Sequence, residues 1–309
     1  MKNHSDDDCN KGQIAPVDHP YLQTQLVYNH SSEFTPPYTQ ALWDKEHSRI
    51  CGDISRFKPL KKIRLIDIGC GPGSFSERLN DHIDLYFGVD TSFVELKRVN
   101  SLPRRFLARG IGEYLDYLSD NYFDAVLLIS VLDHCIDWKK TINRCSDLLR
   151  PGGIMIVAME NSDQLLNRYR KLMGRLVAHH GHMHFLTLND IAAELNTKLI
   201  TLKATTFGYG FGLHSLTIKI RIPQPFFNAL MPIMDSVGSL LLRTGGQVLY
   251  GCYQKNPDAS VQPSSHFLVC PSCKATLNWG GSECKQCGCG IPYQDNILDA
   301  LALCQKRDV

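Results

Sequence analysis

The 309-residue sequence lacks long apolar runs, charge of one sign and a visible export signal. A membrane-spanning helix needs roughly 18 or more uninterrupted apolar residues. The longest candidate, around Phe226 to Tyr250, is interrupted by Pro232, Asp235, Arg243 and glycines, so no span is expected. With 33 Lys and Arg against 31 Asp and Glu, the formal net charge is only +2. Bulk electrostatics therefore give no drive toward tight nucleic-acid binding, and neither a DNA nor an RNA partner is expected. The stretch holding His4 and Asp6-Asp7-Asp8 lacks the apolar core of a signal peptide. A cytoplasmic location is the expectation, where the 12 cysteines stay reduced. Cysteines that bind no metal there act as small apolar fillers.

What is present suits one large domain and a small one. Residues 1–60 form a polar extension with scattered aromatics (Tyr21, Tyr28, Phe34, Tyr38, Trp43) and a helix expected around Tyr38 to Phe57, either docked on the core or capping a cleft. Residues 61–222 alternate strand-like and helix-like runs, predicting an α/β domain. Residues 223–265 read as an apolar helical segment followed by a polar linker, and 266–309 as a cysteine-dense tail.

Ile63 to Ile68 has the continuous apolar character of a buried parallel strand. Gly69-Cys70-Gly71-Pro72-Gly73 follows at once, and Ser74 opens a helix with Phe75 and Leu79 facing inward. A tight strand-to-helix turn favours glycine, since Cβ atoms would obstruct both the bend and an approaching ligand. A dinucleotide fingerprint spaces its glycines G-x-G-x-x-G. Here they alternate after Asp67, which suits a nucleoside joined to an amino acid better than a pyrophosphate. The second strand, Leu85 to Val89, ends at Asp90. In a doubly wound sheet that strand tip lies beside the first loop, where a carboxylate can accept hydrogen bonds from both ribose hydroxyls.

The ordered set of Asp67 to Gly73, the strand ending in Asp90, Phe123 to His134, and Leu148-Leu149-Arg150-Pro151-Gly152-Gly153 resembles class I S-adenosylmethionine-dependent methyltransferases over about residues 61–221. The resemblance implies a Rossmann-like doubly wound sheet with an antiparallel last strand. It assigns the methionine pocket to Gly69, Cys70, Gly71 and Gly73, with Asp67 ordering the loop. Asp90 would hold the ribose beside Thr91. In Arg109-Gly110-Ile111-Gly112-Glu113 the family's adenine-contacting acid is missing, and Ile111 stands in its place, leaving backbone groups of Ile111 and Gly112 for adenine. The carbonyl region of Ser130 would help hold the ligand's ammonium. Leu199 to Thr206 and Leu213 to Ile220 are expected as the terminal strand pair.

Methyl transfer needs alignment of donor and acceptor above all, and a hydroxyl acceptor usually needs a base as well. His134, His182 and His184 are the candidates, the last two within His179-His180-Gly181-His182-Met183-His184. Related methyltransferases often carry such a histidine before a Phe-Leu-Thr-like stretch, and a role in bonding loop backbone stands open beside the base role. A metal at this cluster is disfavoured because no paired carboxylates accompany it in the sequence. Arg168, Arg170, Lys171 and Arg175 line one helix face, either solvated or receiving an anionic substrate.

Cys270-Pro271-Ser272-Cys273 and Cys284-Lys285-Gln286-Cys287 form two C-x-x-C pairs. Each makes a tight knuckle, and two can close a tetrahedral thiolate site, favouring structural Zn2+ in a small β-rich ribbon. Cys289 lies close enough to replace Cys287. The tail resembles the zinc-ribbon activator subunit of RNA and protein methyltransferases, which packs against a catalytic partner; here it would act in cis. Together these readings predict a methyltransferase acting on a small-molecule, sugar or lipid-linked acceptor. The alternative is a catalytically silent scaffold that activates a partner through the ribbon. Phe226 to Leu242 suits either packing between domains or resting on a membrane surface.

Overall fold

The computed structural model describes residues 37–57, 62–99, 104–173, 182–210 and 223–305. Of the expectations above, His179, His180, Arg175, the strand Leu213 to Ile220 and the aromatics before Pro37 lie outside the described residues.

A nine-stranded sheet organises the chain: β1 (Ile63–Ile68), β2 (Ile83–Asp90), β3 (Arg105–Arg109), β4 (Phe123–Ile129), β5 (Leu149–Glu160), β6 (Leu199–Phe207), β7 (Val248–Lys255), β8 (Tyr293–Gln294) and β9 (Ile297–Asp299). Their order is β6-β7-β5-β4-β1-β2-β3-β9-β8. Strands β3-β2-β1-β4-β5 run parallel, and β7 enters antiparallel between β5 and β6. Side chains of β4 alternate between two apolar clusters. Val126 and Leu128 join Phe87, Met155 and Leu249 on one face, whereas Ala125 and Leu127 join Leu65, Tyr86 and Ile156 on the other. Both faces are covered, as the unbroken apolar runs of these strands require.

The helices are α1 (Pro37–Phe57), α2 (Ser74–Arg78), α3 (Phe93–Arg98), α4 (Trp138–Leu148), α5 (Leu165–Leu172), α6 (Leu188–Leu195), α7 (Gln224–Leu242) and α8 (Ala300–Gln305). Caps mark several starts. Ser92 accepts from the Glu95 N–H, Asp137 from Lys140, and Thr187 forms a reciprocal capping box with Asp190.

Two features differ from the sequence expectations. The partner of β6 within the described residues is β7, drawn from the stretch read as helical up to about Tyr253. The turn Gly245-Gly246 permits the switch: a Cβ on Gly246 would come within 2.6 Å of the Phe207 backbone. The second is α7, a 19-residue helix apolar enough to cross a membrane by length and composition despite its interruptions. It docks on the protein through Asp235, whose carboxylate accepts the N–H groups of Gly208 (2.8 Å) and Tyr209 (3.0 Å) and pairs with Lys45 of α1. Gly238 lets it sit against the Tyr209 ring, where any Cβ would approach to 2.2 Å.

The cysteine-rich tail shares the sheet. β9 extends it parallel to β3, pairing Ala108 with Leu298 and Arg109 with Asp299. Phe267 and Trp279 seal the junction, their rings 4.9 and 5.0 Å from that of Phe106.

Candidate active site

The glycine loop bends because Gly69, Gly71 and Gly73 all adopt positive φ (72°, 50° and 80°). Its position is fixed by the Val89 carbonyl, which accepts from the N–H groups of Gly69 (2.7 Å) and Cys70 (3.1 Å). The space beside Gly71 is open: a Cβ built there would meet nothing within 4 Å. Asp90 is bonded to the same glycine. Its Oδ2 accepts the Gly71 N–H at 2.9 Å and its Oδ1 the Ser92 N–H at 2.8 Å. Burial raises the Asp90 pKa, and these two amides oppose that rise. The Thr91 backbone bonds this carboxylate as well, and its four lone-pair sites still leave it able to accept from a ribose hydroxyl. Loop and carboxylate are thus bonded to each other.

Asp67 lies beneath, buried and accepting from the Tyr86 hydroxyl at 2.9 Å. Burial pushes its pKa up to about 7 against that hydrogen bond, with the neighbouring Asp90 adding to the rise. The buried Cys70 thiol is likewise held well above its ordinary value by burial, so it is a packing group with no nucleophilic character. Ser130, at the end of β4, takes a left-handed conformation (φ 53°) while its N–H donates to the Ala158 carbonyl at 2.7 Å. Such a conformation is uncommon outside glycine. Thr91 and the Gly110-Ile111-Gly112 turn complete the rim. Gly110 donates to the Asp90 carbonyl at 3.0 Å, and Gly112 is needed because a Cβ would strike Thr141 at 2.5 Å.

The histidines divide into two kinds. His184 bonds backbone: its Nε2 lies 3.2 Å from the Ile136 carbonyl. His134 and His182 converge on Asp133, with ring centroids 4.7 Å apart and planes at 87°. His182 Nε2 lies 3.4 Å from Asp133 Oδ2, and His134 Nε2 lies 4.0 Å from Oδ1. The Asp133 carbonyl accepts from Met183 (2.7 Å) and His184 (3.3 Å), latching the segment after β5 onto the turn after β4. Asp133, which both rings approach, is not among the candidates read from the sequence; an acid directly before His134 was its only local signal. Arg168 is engaged by Asp163 at 2.7 Å and Thr244 at 3.0 Å.

In the tail, Cys270, Cys273, Cys284 and Cys287 place their sulfurs within 4.8 Å of one another. Tetrahedral Zn–S bonds of about 2.3 Å put sulfurs about 3.8 Å apart, and the closest pairs here are 3.5 and 3.6 Å. The knuckles repeat one geometry. Lys274 and Gly288, both at positive φ, donate to the carbonyls of Cys270 (2.9 Å) and Cys284 (2.8 Å). Cys270 and Cys284 donate in turn to Ala275 and Cys289, both at 2.8 Å. Cys289 is therefore the counterpart of Ala275. It closes the turn with its carbonyl and stands outside the four-sulfur set.

A family model described as a methyltransferase domain matches residues 42–198, half of the chain. The ubiquinone biosynthesis O-methyltransferase of Sinorhizobium fredii is 31% identical over 138 residues, covering 42% of this chain and 54% of that protein. The protein of the same name from Chelativorans sp. is 29% identical over 146 residues, 46% of this chain and 55% of that one. The chain thus spans about half the length of the curated relatives it matches. Among solved structures, a putative sarcosine dimethylglycine methyltransferase from Galdieria sulphuraria has a TM-score of 0.50 at 12% identity, covering 77% of this chain and 98% of that one. That likeness concerns the fold alone. With the cradle of Gly69 to Gly73 and Asp90 inside the matched region, the chain belongs to the methyltransferase domain family and has the class I S-adenosylmethionine-dependent methyltransferase fold.

Proposed function

We propose that the protein transfers a methyl group from S-adenosylmethionine to an oxygen of a small-molecule, sugar or lipid-linked acceptor. The observation carrying this reading is the open space at Gly71, a glycine whose N–H is held by the Asp90 carboxylate. In this reading the loop holds the methionine end, Asp90 the ribose, and Ile111 with Gly112 the adenine. When bound there, the donor supplies a methyl group already activated on a sulfonium. The acceptor oxygen forms the new C–O bond as the C–S bond breaks, sulfur keeps the electron pair, and the hydroxyl proton must leave. This chain's task is alignment and exclusion of water. The Asp133–His134–His182 group, a few residues beyond Ser130, supports oxygen as acceptor, since an amine needs less proton handling. The O-methyltransferase names of the relatives point the same way.

Two further parts belong to this reading. The four thiols hold structural Zn2+, closed to substrate, in a reducing cytoplasmic setting. Helix α7 turns Ile233, Val237, Leu240 and Leu241 outward, which supports contact with a lipid surface where a lipid-linked acceptor would reside. Calorimetry with S-adenosylhomocysteine and NADH tests the cleft: only the former should bind. A labelled-donor screen against host extracts then identifies the acceptor. Binding of S-adenosylhomocysteine without transfer to any acceptor would favour the silent-scaffold alternative.

A further inference from the structure

The sequence places histidines near the cleft without a carboxylate pair, which argues against a metal there. The fold supplies a carboxylate from the turn itself. We infer that Asp133, His134 and His182 bind a divalent transition-metal ion at the acceptor side of the cleft, leaving positions open for the acceptor oxygen. This deepens the proposed function and rests on it only for the identity of that oxygen.

Geometry carries the inference. One donor atom from each of the three residues lies within 4.8 Å of the others. Tetrahedral bonds of about 2.1 Å place donors about 3.4 Å apart, and His182 Nε2 to Asp133 Oδ2 is 3.4 Å. The His134 contact is longer, at 4.0 Å. The near-perpendicular rings let both imidazoles address one point without stacking.

A second observation is independent of the spacing. Asp133 is only 2% exposed, yet its Oδ1 has no hydrogen-bond partner. A buried carboxylate oxygen without a hydrogen bond is costly, and such groups are found hydrogen-bonded or on metals. The two backbone bonds from Met183 and His184 to the Asp133 carbonyl hold the third ligand in register. Two imidazoles and one carboxylate suit zinc, iron, cobalt or manganese better than magnesium or calcium. Three protein ligands leave a vacant position, the arrangement of a catalytic rather than a structural site. An ion there would lower the pKa of a bound hydroxyl, and its proton would pass to solvent.

The test titrates Mn2+ alone into the full-length chain carrying a single equivalent of zinc, which the four thiolates take, and follows the free-ion paramagnetic resonance signal. Mn2+ favours nitrogen and oxygen donors, so the thiolate site does not compete. One equivalent should bind. Asp133→Asn and His182→Ala should each weaken binding by roughly 100-fold or more, beyond the usual cost of losing an outer-shell partner. Leu240→Ser, on the exposed face of α7, should leave Mn2+ affinity unchanged. Retained S-adenosylhomocysteine binding shows that each variant is folded, and the half-buried His182 makes its variant the safer of the two. Absence of stoichiometric Mn2+ binding by the wild type, or binding that survives His182→Ala, overturns the inference. Methyl transfer undiminished by chelator overturns it too and leaves the methyltransferase reading standing. Failure of S-adenosylhomocysteine to bind undermines that reading without touching the Mn2+ result.

Discussion

Arg109, the last residue of β3, sets its guanidinium 3.5 Å from the carboxylate of Asp299, the last residue of β9, and donates to the Thr91 carbonyl at 3.4 Å. One side chain thus joins the cysteine-rich tail to the loop after Asp90. Ala300 reinforces the link: a Cβ on Gly110 would lie 3.4 Å from its own. Loss of the zinc proposed for the four thiols should therefore be felt at the cleft. Chelation, or Cys284→Ser, is expected to weaken S-adenosylhomocysteine binding at least tenfold and to lower Tm, read by calorimetry and thermal unfolding. An isolated ribbon appended to a finished domain would leave affinity unchanged on zinc removal.

Asp90 has two duties, since the carboxylate that would hold the ribose also holds the Gly71 and Ser92 amides. Asp90→Ala removes both and should cost S-adenosylhomocysteine affinity about 10- to 100-fold, at about 1.5–3 kcal/mol for a hydrogen bond to a charged group. Asp90→Asn keeps one carbonyl acceptor and should fall between the two. Equal affinity for all three proteins in a titration would place the ribose elsewhere.

The parts of this molecule that were legible in advance are local in the chain. The glycine loop, Asp90 and both cysteine knuckles span a few residues each, and in the loop the steric limits at positive φ call for the glycines that mark it. Contacts across long separations left little trace. Asp133 meets His182 only because the segment after β5 folds back on the turn after β4. Strand β7 follows an apolar helix, and its place between β5 and β6 depends on the sheet having an edge to fill. The docking of β9 on β3 joins residues almost 200 positions apart, and no periodicity announces it. The outward face of α7 has the same origin: composition gives an apolar helix, and Asp235 decides which side docks.

Burial pushes Glu46, on the inner face of α1, from the ordinary 4.5 up to about 7. A carboxyl raised in this way keeps a proton in the native state that the unfolded chain releases near pH 4.5. Its stabilising contribution is complete below that pH and is lost as the pH climbs toward 7, by at most about 3 kcal/mol. Asp67, also raised to about 7, acts in the same direction. Urea unfolding of the ligand-free protein should show this decline, and Glu46→Gln should remove part of it. If the variant and wild type keep parallel pH profiles, Glu46 is already ionised in the native state.

Leu240 and Leu241 expose 82% and 69% of their surface near the C-terminal end of α7, with Ile233 at 62% on the same helix. Exposed apolar patches of this kind mark interaction surfaces. A lipid surface is one occupant and a second copy of the chain another, and they respond differently to one variant. Replacing Leu240 and Leu241 with Ser removes about 1.5–3 kcal/mol of burial for each leucine that inserts, so vesicle flotation should fall at least tenfold. Sedimentation should stay monomeric for both proteins if lipid is the occupant. A dimer in the wild type that the double variant abolishes, with no vesicle binding by either protein, would assign the face to self-association. Transfer to a water-soluble acceptor should be unaffected, since both leucines are exposed; transfer to a membrane-embedded acceptor should fall in step with vesicle binding.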